Sequence, residues 1–222
     1  MADLPRCREA TWEEAERWAD RIADAVRSAR AVPDTIVALT RGGWVPARLL
    51  CDRLGVHRLL SLRAQHWGVT ATPSGKAELT DELSGDVAGE KVLVVDDITD
   101  TGESLSLAIE HVRERGPSRL ESAAFLHINH SRFTPTYFAE VIDRNAWVWV
   151  VFPWNYWEDL RTLAARAATD APGIDAVRRA LHERSGWNVS SADLARVAAL
   201  VPLGEERPAR PKSARAAPRH GA

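Results

Sequence analysis

Three acids fall within five positions, Asp96, Asp97 and Asp100, and Thr101, Gly102, Glu103 and Ser104 follow without a gap. Carboxylates in this density can hold vicinal sugar hydroxyls by accepting their hydrogen bonds. Small hydroxyl residues around a glycine, at the start of a helix, aim backbone N–H groups, hydroxyls and the positive end of the helix dipole at one point. That arrangement receives a phosphate. Acids beside a phosphate cradle fit a ligand with vicinal hydroxyls and a phosphate, the shape of a ribose 5-phosphate.

The elements that must position these groups are legible on either side. Lys91-Val92-Leu93-Val94-Val95 is a short, mostly β-branched run that predicts a strand buried on both faces in a parallel sheet. Leu105 to Glu114 has helical periodicity. The acids therefore sit at the carboxyl end of a central strand, where an open α/β sheet places its ligand. An Asp-Asp-x-x-Asp metal box on the wall of an all-helical protein is the competing chemistry, and the strand ahead of the acids argues against it. A helix N-cap accounts for Asp100 or Thr101 alone, but not for three acids.

The same logic occurs earlier in the chain. Thr35 to Leu39 reads as a buried strand, Thr40-Arg41-Gly42-Gly43 as a turn, and Val45 to Leu54 as a helix. Glycines allow backbone amides to approach an anion, and Arg41 adds charge.

The acidic string resembles the phosphoribosyl diphosphate (PRPP) signature of the type I phosphoribosyltransferases: two acids, two spacers, an acid, Thr-Gly and a small hydroxyl residue. The resemblance covers roughly Thr11 to Asp159. It implies an α/β fold of three layers, a mostly parallel central sheet with helices on both faces. It implies transfer of 5-phosphoribosyl from PRPP to a nitrogenous base, with Mg²⁺ as cofactor. Asp96 and Asp97 would hold the ribose hydroxyls and the metal, and Asp100 would act on the base. Asp100, Thr101, Gly102, Glu103 and Ser104 would hold the 5′-phosphate, and Thr40, Arg41, Gly42 and Gly43 the pyrophosphate. Arg63 to Gly89 has no clear periodicity, and the resembled family carries a mobile loop there. Arg63 and Lys76 are its candidates for charge neutralisation.

Trp147 to Asn155 resembles the base-binding segment of the xanthine/guanine and hypoxanthine branch, which assigns Trp149 and Val150 to the base. Enzymes of this branch place a lysine against the purine 6-oxo group; the equivalent position here is Asn129, which donates a hydrogen bond without a charge. That departure keeps a non-purine heterocycle open as acceptor. A PRPP-sensing regulator without chemistry is the remaining alternative, ranked lower because Arg41-Gly42-Gly43 and a long loop are both retained.

The chain has 222 residues, with a formal net charge of −2, which gives no general pull toward nucleic acid or membrane. No apolar run is long enough to span a bilayer. Cys7 and Cys51 have no metal or redox spacing and read as reduced thiols of a cytoplasmic protein. We expect a phosphoribosyltransferase domain over residues 1–159, a helical extension over 160–203 and a disordered basic tail over 204–222. Helices are expected over Thr11 to Ala29, Glu158 to Ala168, Gly173 to Arg184 and Ser190 to Leu200, and a homodimer or higher homo-oligomer is the expected assembly.

Overall fold

A computed structural model describes residues 3–66, 77–201 and 203. The chain divides into two compact units, one of Pro5–Asp159 and one of Met1–Leu4 with Leu160–Ala222.

The larger unit is built on a six-stranded sheet ordered β4-β3-β2-β5-β6-β7. Its strands are β2 (Thr35–Thr40), β3 (Arg58–His66), β4 (Ala77–Asp81), β5 (Lys91–Thr99), β6 (Arg119–Ile128) and β7 (Tyr137–Ile142). All pairs are parallel except β3 with β4. A separate two-stranded parallel pair joins β1 (Cys7–Glu9) to β8 (Trp149–Val151). The continuous apolar runs of β2, β5 and β6 are buried on both faces because helices cover both.

On one face, α1 (Trp12–Ser28) and α2 (Trp44–Leu54) pack Trp18, Ile22, Val26 and Leu50 against Ile36, Leu93 and Phe125. On the other, α3 (Glu103–Arg113) packs Leu105, Ile109 and Val112 against Val37, Val92 and Val94. The start of α1 is fixed by a capping box: Thr11 Oγ1 accepts from Glu14 N at 3.1 Å, and the Glu14 carboxylate accepts from Thr11 N at 2.8 Å. This is the three-layer, mostly parallel α/β architecture expected from the sequence.

The smaller unit contains most of α4 (Tyr156–Ala168), α5 (Ile174–Ala180), a following π-type turn over Leu181–Ser185, and α6 (Ser191–Ala198). Ser190 caps α6 by accepting from Asp193 N at 3.0 Å. Leu163, Val177, Leu181, Trp187, Leu194 and Val197 are among its buried apolar residues.

Candidate functional site

β2 and β5 are neighbours in register, with Ala38 beside Val95. From this pair the chain moves in opposite directions across the sheet, β2 through α2 to β3 and β5 through α3 to β6. The connections diverge to opposite faces, which opens a crevice at the carboxyl ends of the two strands. Both turns singled out in the sequence meet there.

The first turn follows β2. Thr40 Oγ1 donates to Leu62 O at 3.0 Å, the Thr40–Arg41 peptide is cis, and Gly43 N donates to Leu39 O at 2.9 Å. A Cβ on Gly43 would lie 2.2 Å from Val95 O, so the turn is pressed against the backbone of β5. A Cβ on Gly42 would lie 2.4 Å from Asp97 Oδ2. Only glycine allows the turn to come this close to the acids. The Arg41 guanidinium is paired with the Glu158 carboxylate in the first turn of α4.

The paired acids lie at the end of β5. Asp97 N donates to Asp96 Oδ1 at 2.9 Å, and Trp154 Nε1 donates to Asp97 Oδ2 at 3.2 Å. Burial, and then the adjacent Asp97 charge, hold the Asp96 carboxyl well above the usual carboxylate range. Burial also raises Asp97, opposed by the Trp154 N–H. Two carboxylates that resist joint ionisation fit a divalent cation, whose charge would offset their repulsion. Among the described residues no three His, Cys, Asp or Glu side chains gather around one point. A Mg²⁺ here would therefore take few ligands from the protein and the rest from water and substrate oxygens, which is its usual habit with phosphate ligands.

The second turn follows β5. Gly102 caps α3 with φ +84°, and a Cβ on it would lie 2.5 Å from Ser131 Oγ and 2.7 Å from Phe133 Cβ. Thr101 Oγ1 accepts from Glu103 N at 3.4 Å, and Thr101 O accepts from Arg132 N at 3.0 Å. Thr101 to Ser104 thus form the helix-opening turn expected of a phosphate site. Asp100 lies at its edge, with Oδ1 3.4 Å from His130 Nε2.

Asn129 follows β6. Its Oδ1 accepts from Arg144 N at 2.9 Å, which assigns the amide oxygen and makes the NH₂ the side chain's donor. Trp149 is half-buried on β8. Val150 requires a correction: its side chain is in the apolar core with Phe125 and Phe152, so its main chain, not its side chain, is what a base could meet. The second aromatic of the segment, Trp154, stacks on Phe152 at 4.9 Å and 12° and turns its N–H onto Asp97. Beneath this segment Asp159 is buried, and burial raises its carboxyl to about 7, with Glu158 and Asp97 adding to the shift and the Trp149 indole opposing it.

Arg63 also requires correction. It is not on a loop but in β3, level with Thr40 and 3.9 Å from the Asp81 carboxylate, because β3 runs on to His66 and pairs with the antiparallel β4. Lys76 lies outside the described residues.

Sequence reasoning missed four contributors: Trp154, Glu158, Asp159 and His130. Trp154 lies inside the Trp147 to Asn155 stretch, and His130 directly follows Asn129. What each touches depends on contacts between loops far apart in the chain, and no periodicity reports those.

The fold and the two turns define a class, α/β proteins that hold a phosphorylated ligand where strand order reverses. The phosphoribosyl transferase domain family matches residues 10–159. A xanthine-guanine phosphoribosyltransferase of Cereibacter sphaeroides is 30% identical over 122 residues, 54% of this chain and 68% of the relative. One of Gluconobacter oxydans is 30% identical over 149 residues, 65% and 82%. The crystal structure of a purine phosphoribosyltransferase from Pyrococcus horikoshii superposes with a TM-score of 0.58 at 28% identity, over 67% of this chain and 93% of that one. The chain belongs to the phosphoribosyltransferase family and is an enzyme.

Proposed function

We propose that this enzyme transfers 5-phosphoribosyl from PRPP to a purine carrying an oxo group, giving a nucleoside 5′-monophosphate and pyrophosphate in purine salvage. The observation that carries the reading is the crevice between β2 and β5, with two anion-receptive turns on either side of the acid pair. Thr101 to Ser104 hold the 5′-phosphate through backbone N–H groups and hydroxyls at the start of α3. Thr40 to Gly43 hold the pyrophosphate, with Arg41 exchanging Glu158 for phosphate oxygens. Asp96 and Asp97 hold the ribose hydroxyls and Mg²⁺, which supplies charge neutralisation for the departing pyrophosphate.

As the C1′–O bond to pyrophosphate breaks, a nitrogen of the base bonds to C1′ and its proton passes to Asp100. Trp149 and the main chain at Val150 hold the flat base, and the Asn129 NH₂ donates to its oxo group. The Asn129 donor favours an oxopurine. A non-purine heterocycle with a carbonyl in the same place would satisfy the same donor and is the second reading. The names of the relatives favour the purine.

Pyrophosphate release from PRPP and Mg²⁺ with hypoxanthine, guanine, xanthine and adenine in parallel tests the choice. Release with an oxopurine supports it. Release with none while PRPP still binds sends the reading to another acceptor. We place the enzyme in the cytoplasm as a homo-oligomer on the same grounds of family; the described residues contain no helix long and apolar enough to cross a membrane.

A further inference from the structure

We propose that His130 is a positioning residue for Asp100, fixing which carboxylate oxygen faces the base. The inference rests on the transfer reading above. His130 Nε2 lies 3.4 Å from Asp100 Oδ1, an ion-pair distance and not an aligned hydrogen bond; with its proton on Nε2 the imidazole can turn that N–H onto Oδ1, leaving Oδ2 to receive the proton from the base. The contact is long for a hydrogen bond, and such contacts shorten when a ligand closes the site.

Its geometry is set by backbone, not by two side chains that meet by accident. The loop that carries His130 is fastened to the phosphate turn by Arg132 N donating to Thr101 O at 3.0 Å. It is pressed so closely on Gly102 that a Cβ there would collide with Ser131. The base of the loop is fixed by Asn129 N donating to Ile142 O at 3.1 Å and by the Arg144 N–H on the Asn129 side chain. His130 is thereby held at the junction of the two loops that meet the sugar phosphate and the base. Its neighbour on β6, His127, differs: it is buried against Phe138, and burial holds its imidazole below the usual range. Asp100 is 44% exposed, so without His130 its carboxylate is free to rotate in water. Holding one oxygen removes that freedom before the reaction begins.

The test is a double-mutant cycle on the full chain with steady-state kinetics for PRPP and the purine that wild type uses best. His130→Ala is expected to lower kcat about tenfold while the KM for PRPP stays within about twofold. His130→Gln, whose side-chain amide can present an N–H at a similar reach, is expected to recover most of that loss. In an Asp100→Ala background, His130→Ala is expected to change nothing further, because a residue that acts only through Asp100 has nothing left to position.

Equal losses in the two backgrounds, a raised KM with kcat held, or an unchanged kcat in His130→Ala would each overturn the proposal. Melting temperatures of the variants separate a folding defect from these outcomes, and His130→Gln provides the second variant if the alanine form is unstable. A wild type that releases no pyrophosphate with any purine overturns the transfer reading and His130's role with it. An active wild type with an unaffected His130→Ala overturns only the latter.

Discussion

The indole N–H of Trp154 donates to Asp97 Oδ2 at 3.2 Å, tying the segment that follows β8 to the acid at the end of β5. The ring cannot easily move away, because it stacks on Phe152 and meets Phe125 edge-on at 6.2 Å. Asp97 Oδ2 is thus held by Trp154 and closely approached by Gly42. Trp154→Phe keeps the aromatic packing and removes the donor. A hydrogen bond to a charged group contributes roughly 1.5–3 kcal/mol, so PRPP binding in the presence of Mg²⁺ is expected to weaken about tenfold. Calorimetric titration of PRPP checks it; unchanged affinity would mean that the indole N–H is not what orients Asp97.

The Gly42 contact gives a steric prediction. Gly42→Ala places a methyl 2.4 Å from Asp97 Oδ2, so the turn or the acid must move. The kcat/KM for PRPP is expected to fall by at least an order of magnitude, since a misplacement of about 1 Å can cost about a hundredfold in rate. The measurement is kcat/KM for PRPP, alongside a melting curve that should move little, as the turn lies beyond the carboxyl end of β2.

Gly102→Ala differs, because φ +84° and the contacts to Ser131 and Phe133 strain the backbone as well as the cavity. Strain at such a position costs on the order of 1–3 kcal/mol. Chemical denaturation should show a loss of that order, with the phosphate turn and the His130 loop pushed apart. A fully stable variant would contradict the packing described.

Asp159 gives a pH dependence whose sign follows from its raised carboxyl, about 7 when folded against an ordinary 3.8. The folded state holds the proton more tightly than the unfolded one, so this group's contribution is fully present below about pH 4. It is lost as pH rises through 7. Asp159→Asn removes the ionisation. Its melting temperature relative to wild type is expected to be little changed near pH 4 and to rise by several degrees at pH 8. An equal difference at both pH values would show that Asp159 is ionised throughout.

Much of this was legible in the sequence for a physical reason. Strands buried on both faces, such as Val92 to Val95, announce themselves as unbroken apolar runs, and the acids and turn that follow are constrained by the ligand. The start of α1 at its Thr11 cap is equally plain. β4 and β7 are not, because edge strands with mixed exposure carry a weak pattern, and neither is the polar end of β3 at Arg63 and Gln65, which carries no periodicity. Val150 is assigned to the base by its place in a motif, yet β8 is buried at both Val150 and Val151, and the Val150 side chain packs into the core. Partnerships between loops, Trp154 with Asp97 and His130 with Asp100, exist only once the chain is folded.

The measurement that bears most directly on the account is simultaneous detection of pyrophosphate and nucleoside 5′-monophosphate from PRPP, Mg²⁺ and an oxopurine, for wild type and Asp100→Ala. The account predicts equal amounts of both products from wild type and a loss of about a hundredfold or more in kcat for the variant, with PRPP still bound. Equal turnover by Asp100→Ala, or pyrophosphate without nucleotide, would contradict it.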